Sequence, residues 1–214
     1  MKSFVITIKS IEPSVKVAQR CINSMPEYDV QMFDAITPND NPTAILKSKG
    51  LPEDLFEEVY SYKEKCISAF LSHFSLWEQC VEDNEEYQIF EHDAIAVAEI
   101  PRYISYKHCV SIGAPSYGKF KLPESLGTSS LFSKPYFPGA HAYRLKPSGA
   151  KLLIERAKVD AAPTDVFLNI NRFPWLQEYY PWPVEAKDSF STIQKTEGCL
   201  AKHQWDGGEK YELI

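Results

Sequence analysis

The chain has 214 residues, 44% of them hydrophobic and 24% charged, so it is long enough for one compact domain and too apolar to be disordered throughout. Lys and Arg total 23 against 29 Asp and Glu, and this net charge of -6 argues against a sequence-independent nucleic-acid binder. No apolar run reaches the ~18 residues that a transmembrane segment needs, and the N-terminal stretch MKSFVITIKS is too short for a secretory signal.

The first half of the chain alternates β-branched runs with amphipathic segments. This alternation predicts strands at 4–8, 30–36 and 86–90 and helices at 13–25 and 61–81. The second of these helices is the most regular element, because apolar residues recur in it at steps of three and four. They are Ile67, Phe70, Leu71, Phe74, Trp77 and Val81.

The second half continues with shorter elements. Strands are predicted at 108–113 and 140–145, and a helix at 148–157 with Ser148 as its N-cap. Residues 114–139 contain several Gly, Pro and Ser residues, which predict a long irregular loop of the kind that often covers a binding site. Helices that alternate with strands favour an α/β fold, with a mostly parallel central sheet flanked by helices, in a single domain over 1–214.

The clearest chemical signal is the triplet Glu91, His92 and Asp93, which follows the apolar strand end Ile89–Phe90. Ligands bind at the carboxyl ends of strands in open α/β sheets, and carboxylate oxygens with an imidazole suit Mg²⁺ or Mn²⁺. An acidic turn after a strand is also a common solvated feature, so the triplet alone leaves both interpretations open.

Two longer motifs place the triplet in context. The helix reads Ser68-Ala69-Phe70-Leu71-Ser72-His73-Phe74-Ser75-Leu76-Trp77, and the strand ends Ile89-Phe90-Glu91-His92-Asp93-Ala94. Together they resemble glycosyltransferase family 25, whose pattern is Gly-Cys-x-x-Ser-His-x-x-x-Trp followed by a strand ending Glu-Asp-Asp. Weaker matches follow in the same order, at Ala142–Leu145 with 148–153, at 163–168 and at 191–193. The middle acid of the triplet is His92 here, and the segment that reads Glu-Ile-Gly-Cys in the family reads Cys66-Ile67-Ser68-Ala69.

This resemblance implies a GT-A-type nucleotide-sugar transferase fold and inverting transfer of a hexose. The implied donor is UDP-galactose, the acceptor is a glycan or a glycosylated molecule, and the cofactor is Mn²⁺ or Mg²⁺. Asp93 is the expected metal ligand. Asp165, in a segment that resembles the family's Pro-x-Asp-x-x-Leu, is the expected catalytic base, with Glu91 or Asp188 as alternatives and a helix N-cap as its structural interpretation.

The resemblance also implies a set of donor-binding residues. Arg20 stands where the family has an arginine in the first helix, although an exposed helix arginine is nearly as common, and His73 is alternatively a core histidine. Trp77 is expected in the core, and His141 and His203 are candidates for a further metal ligand. The expected donor-binding set is Thr7, Arg20, Ser72, His73, Glu91 and His92.

Two other function classes were weighed against a transferase. The first is a nucleotide-sugar- or glycan-binding protein without catalysis, and its main support is the altered triplet, in which His92 replaces an acid. A nucleotidyltransferase is disfavoured, since the segment Lys9-Ser10-Ile11-Glu12-Pro13 after the first strand has no glycine. The five cysteines are scattered and form no CxxC pair, which predicts a reduced, intracellular protein. With no predicted membrane-spanning segment, the family resemblance implies a cytoplasmic enzyme of envelope or surface-glycan assembly, at the inner membrane surface or in a host cell if viral.

Overall fold

A seven-stranded sheet organises the molecule, for which a computed structural model describes residues 1–57 and 61–187. The strands are β1 (Lys2–Thr7), β2 (Val30–Asp34), β3 (Tyr87–Glu91), β4 (Ala94–Ala96), β5 (Cys109–Ser111), β6 (Gly127–Ser130), β7 (Ala142–Leu145), β8 (Gln177–Tyr180) and β9 (Val184–Ala186). The helices are α1 (Glu12–Asn23), α2 (Pro42–Ser48), α3 (Lys63–Asp83), α4 (Pro147–Asp160) and α5 (Thr164–Phe167), and single 3-10 turns lie at Pro38–Asp40 and Asp54–Phe56.

The sheet order is β2-β1-β3-β7-β5-β8-β6, and β4 pairs with β9 in a separate ribbon. Strands β2, β1, β3, β5 and β8 run in one direction, whereas β7 and β6 run in the other. The prediction of an α/β fold with a mostly parallel central sheet is therefore confirmed.

Apolar clusters cover both faces of the sheet. One face packs against α3, and the ring of Phe70 in α3 contacts several other rings of this cluster. The other face packs against α1 through Ala18 and Cys21. The residues predicted to be buried on α3 are buried, with Phe70, Leu71, Phe74 and Trp77 all at 2% exposure or less.

Two local predictions are wrong. Residues 114–139 are not wholly irregular, because they contain strand β6. This strand pairs with β8, and neither strand is predicted from the sequence. Ser148 is not an N-cap: Lys146 holds that position, Pro147 opens α4, and the Ser148 hydroxyl lies 3.0 Å from His108 Nδ1. The proline ring at the first helical position fixes the backbone for helix entry without a side-chain cap.

Candidate active site

The carboxyl ends of β1 and β3 meet the start of β7 at one edge of the sheet. Ile6 pairs with Glu91, and the Glu91 amide donates to the His141 carbonyl at 2.9 Å. His92 and Asp93 form the turn from β3 into β4 at the same edge. The acidic triplet therefore lies where an open α/β sheet commonly binds its ligand.

Glu91 is linked to the interior of the protein through His73. The imidazole Nε2 lies 3.2 Å from Glu91 Oε1, and Nδ1 lies 2.8 Å from the hydroxyl of Tyr143. That hydroxyl also accepts a hydrogen bond from Trp77 Nε1 at 2.9 Å. His73 is 1% exposed, and burial lowers its pKa to about 3 although the charge of Asp165 opposes this. The ring is therefore neutral near pH 7, with one nitrogen that donates and one that accepts.

The Glu91 carboxyl group shares its surroundings with other acids. Its side chain is 28% exposed, yet the carboxyl end is enclosed enough that burial is the main cause of a pKa raised well above the usual range. The charges of Asp93 and Asp165 raise the pKa further, and His92 lowers it. The charges of two other acids therefore act on the Glu91 carboxyl group, which is characteristic of sites that bind cations or transfer protons.

Asp165 lies in the first turn of α5, two residues after the N-cap Pro163. The Tyr117 hydroxyl donates to Asp165 Oδ2 at 2.6 Å, and the Val166 amide donates to Oδ1 at 2.9 Å. Asp165 therefore does not cap the helix. Its carboxylate is instead held by a tyrosine from the loop that precedes β6.

Asp93 and His141 contribute buried polar atoms that lack partners. Asp93 Oδ1 and both ring nitrogens of His141 make no hydrogen bond with the residues that the structure describes. Burial lowers the pKa of His141, while the charge of Asp93 and the backbone groups of Pro138 and Val184 act in the opposite direction. These backbone groups are near the ring but do not form hydrogen bonds of regular geometry with it. The ring lies against Gly113, where a Cβ would come within 2.5 Å of Nε2, so only glycine leaves it room. Orphaned buried atoms are uncommon, and these suit coordination of a cation.

His92 connects the turn after β3 to α1. Its Nδ1 lies 3.0 Å from the hydroxyl of Ser14, which also accepts a hydrogen bond from the Ile8 amide at 3.0 Å. The imidazole that replaces the middle acid of the family triplet thus joins the carboxyl ends of β1 and β3 through one helix residue.

The predicted donor residues Thr7 and Ser72 are fully buried. The Thr7 hydroxyl donates to the Val5 carbonyl at 3.1 Å. The Ser72 hydroxyl donates to the Ser68 carbonyl and accepts from the Ile36 amide, both at 2.9 Å. Both hydroxyls are therefore engaged within the protein, and Ser72 fixes the segment that follows β2.

Arg20 lies in the last turn of α1, next to the buried Cys21. Burial raises the pKa of the Cys21 thiol, and the next largest effect comes from the charge of Asp93. Asp93 therefore lies close to the turn of α1 that contains Arg20 and Cys21. Asp188, His203 and the 191–193 match lie outside the described residues.

Comparison with known proteins places this chain in a family. Residues 1–111, just over half of the chain, match the model of glycosyltransferase family 25, described as LPS biosynthesis proteins. The chain belongs to glycosyltransferase family 25. The matched range includes α3 and the Glu91-His92-Asp93 triplet, whereas Tyr143 and Asp165 lie beyond it.

Other comparisons add little to the family assignment. No curated protein matches the sequence. Among solved structures, CTP:phosphocholine cytidylyltransferase (LicC) from Streptococcus pneumoniae aligns with 10% identity over 86% of this chain and 91% of its own, at a TM-score of 0.35. That likeness is too distant to support an argument. None of the described helices is both long and apolar enough to cross a membrane.

The divalent cation implied by family 25 can be compared with the side chains that are available to bind it. Within residues 1–57 and 61–187, no three His, Cys, Asp or Glu side chains are grouped as a metal site. Asp93 and His141 nevertheless offer a carboxylate oxygen and an imidazole, both buried and orphaned. Mg²⁺ is commonly held by one or two carboxylates together with substrate phosphates and water, so these residues fit a cation that arrives with a diphosphate.

Sequence reasoning missed Tyr117 and the contact of Tyr143 with His73. Tyr143 was noticed only as part of a weak family match, and Tyr117 lies in a segment predicted to be an irregular loop. Their contacts, to Asp165 and His73, span 48 and 70 residues, and nothing local in the sequence indicates such partners.

Proposed function

We propose that this family 25 glycosyltransferase moves a hexose, with galactose as the first candidate, from a UDP donor to a hydroxyl of a glycan such as a growing lipopolysaccharide. The observation that supports this most strongly is the arrangement at the carboxyl end of β3. Glu91 is followed there by Asp93, which has a buried carboxylate oxygen without a hydrogen-bond partner among the described residues, and the charge of Asp165 also acts on Glu91. Such a site has acids for both tasks of the reaction, which are to hold a cation that would neutralise the leaving diphosphate and to accept a proton.

Asp165 is our first assignment for the base, with Glu91 as the alternative. The acceptor oxygen bonds to the anomeric carbon as the bond from that carbon to the diphosphate oxygen breaks, which inverts the configuration. The acceptor proton passes to the Asp165 carboxylate. The hydrogen bond from Tyr117 fixes that carboxylate without blocking it, since each carboxylate oxygen can accept more than one hydrogen bond.

Asp93 and His141 are the residues that would hold Mn²⁺ or Mg²⁺. Such an ion stabilises the negative charge that develops on the departing diphosphate. Arg20 is the second candidate for diphosphate binding, because it borders the same turn of α1 as Asp93. His92 is proposed to hold the turn in place through Ser14. Thr7 and Ser72 are proposed to support the site without touching the donor.

The decisive experiment combines binding with turnover. The protein is incubated with UDP-galactose, UDP-glucose and other nucleotide sugars, with and without Mn²⁺, while melting temperature, sugar transfer and donor hydrolysis are followed. We expect one UDP-sugar to raise the melting temperature in the presence of Mn²⁺ and to be consumed. Binding without any transfer or hydrolysis would favour a catalytically inactive nucleotide-sugar-binding protein, and no binding would refute the proposal.

A further inference from the structure

A chain of three hydrogen bonds joins Trp77, Tyr143 and His73 to Glu91, and its direction can be worked out. The indole N–H of Trp77 can only donate, so the Tyr143 oxygen accepts that hydrogen bond. The proton of the Tyr143 hydroxyl is itself satisfied when it is donated to His73 Nδ1, which lies 2.8 Å away. The neutral imidazole then has its proton on Nε2 and donates it to Glu91 Oε1. This assignment satisfies every donor in the chain, and the tautomer follows from it.

Only the last member of this chain reaches the surface. Trp77 and Tyr143 are fully buried, His73 is 1% exposed, and the Glu91 side chain is 28% exposed. The first three residues lie among apolar rings, including those of Phe137 and Phe167, where polar groups are costly unless paired. Apolar side chains would pack there without that cost, so the chain is better explained by what it does to Glu91.

We propose that Trp77, Tyr143 and His73 are positioning residues that commit Glu91 Oε1 to the protein and leave Oε2 to form a hydrogen bond with a hydroxyl of the donor sugar. This inference rests on the proposed function, which supplies the sugar nucleotide. It assigns the sugar half of the donor to Glu91 and leaves the diphosphate half to the Asp93 region. The contribution of the chain is orientation, because a carboxyl group fixed by one hydrogen bond presents its second oxygen in a single direction.

The test compares binding of the UDP-sugar used by the wild type with binding of UDP alone. Tyr143→Phe keeps the ring but removes the hydroxyl that sets the His73 tautomer. We expect the affinity for the UDP-sugar to fall by about 10-fold, the usual effect of losing one well-oriented hydrogen bond, while affinity for UDP stays within about twofold. A purely structural defect would lower both affinities together.

The matched control is Tyr87→Phe. Tyr87 is the first residue of β3, the strand that ends at Glu91, and it is 1% exposed. Its hydroxyl donates a hydrogen bond to Asp83, far from Glu91 along the strand. We expect this variant to retain the ratio of the two affinities, since it removes a buried tyrosine hydroxyl without touching the chain.

A second pair of variants keeps the inference falsifiable if Tyr143→Phe does not fold. His73→Gln can place an amide N–H near the position of Nε2, whereas His73→Leu cannot donate at all. We expect Gln to retain most of the preference for the UDP-sugar over UDP and Leu to lose it.

Three results would overturn the inference. Folded Tyr143→Phe and His73→Leu proteins with the wild-type ratio would refute it while leaving sugar transfer intact. Equal losses of UDP and UDP-sugar affinity would show that the chain is only structural. A wild type that binds no sugar nucleotide would refute the proposed function itself and the inference with it.

Discussion

Asp93 is the residue whose removal best separates cation binding from folding. One of its carboxylate oxygens is buried without a hydrogen-bond partner among the described residues, so Asp93→Ala should not lower the melting temperature. Because we assign the cation to Asp93 and His141, the variant should lose the Mn²⁺-dependent part of UDP binding. Calorimetry with and without Mn²⁺ measures this. Asp29→Ala, at an exposed position directly before β2, is the control, and equal Mn²⁺-dependent affinity in all three proteins would exclude Asp93.

Asp165 is the residue that separates catalysis from binding. Asp165→Asn keeps the shape of the side chain and can still accept a hydrogen bond from Tyr117, but it cannot take up the acceptor proton. Turnover should therefore fall by about 10²–10⁴-fold while donor affinity persists. Steady-state kinetics and equilibrium binding on the same preparation test this. Near-normal turnover would move the base to Glu91 or Asp188.

Tyr117 provides a graded comparison for the same carboxylate. Tyr117→Phe leaves Asp165 able to accept a proton but removes the hydrogen bond that orients it. We expect a fall in kcat smaller than that of Asp165→Asn, with little change in KM for the donor. A loss as large as that of Asp165→Asn would mean that the Tyr117 hydroxyl itself takes part in the reaction.

Much of the candidate site follows from sequence because its acids lie next to regular elements. Glu91 and Asp93 end a strand whose apolar pattern is clear, and His73 lies on a helix whose period is clear. What completes the site, such as Tyr117 beside Asp165 and Tyr143 beside His73, comes from chain segments far apart in sequence. Those partners depend on how the sheet and the loops pack, which residue types and spacing do not specify.

At the scale of elements, the aromatic cluster around Phe70 packs α3, the helix that carries His73, against the sheet. Phe70 contacts the rings of Phe56, Phe74, Trp77 and Phe167, with centroids between 5.4 and 6.0 Å apart. Phe70→Ala should therefore lower the free energy of unfolding by about 3–5 kcal/mol, as expected for truncation of a core aromatic residue. Urea unfolding measures it, with Val159→Ala, at a residue 68% exposed on α4, as the control. A Phe70→Ala loss no larger than that of the control would show that this cluster does not stabilise the fold.

Strands differ in how well the sequence predicts them. The pattern of β1, β2 and β3 is largely apolar, and all three strands form where the pattern predicts them; β1 and β3 are mostly buried, whereas β2 fully buries only Val30. The pattern of β6 is Gly-Thr-Ser-Ser, which has no apolar period, and its strand conformation depends on pairing with β8. An edge strand of this kind is stabilised by hydrogen bonds to the neighbouring strand, and its own residue types do not indicate a strand.

For the molecule as a whole, the buried histidines make stability depend on pH. The native pKa of His73 is about 3 against 6.5 in the unfolded chain, so the unfolded state binds more protons between these values. Stability must therefore fall as the pH drops below about 6.5, and by pH 4 this one residue should account for about 3 kcal/mol. His141, whose pKa burial also lowers, acts in the same direction, while Glu91, whose pKa is raised, acts in the opposite one. Urea unfolding of wild type and His73→Gln at several pH values between 7 and 4 isolates the contribution of His73. The wild type should lose stability more steeply on acidification, whereas parallel curves would show that His73 takes up a proton in the folded protein as readily as in the unfolded one.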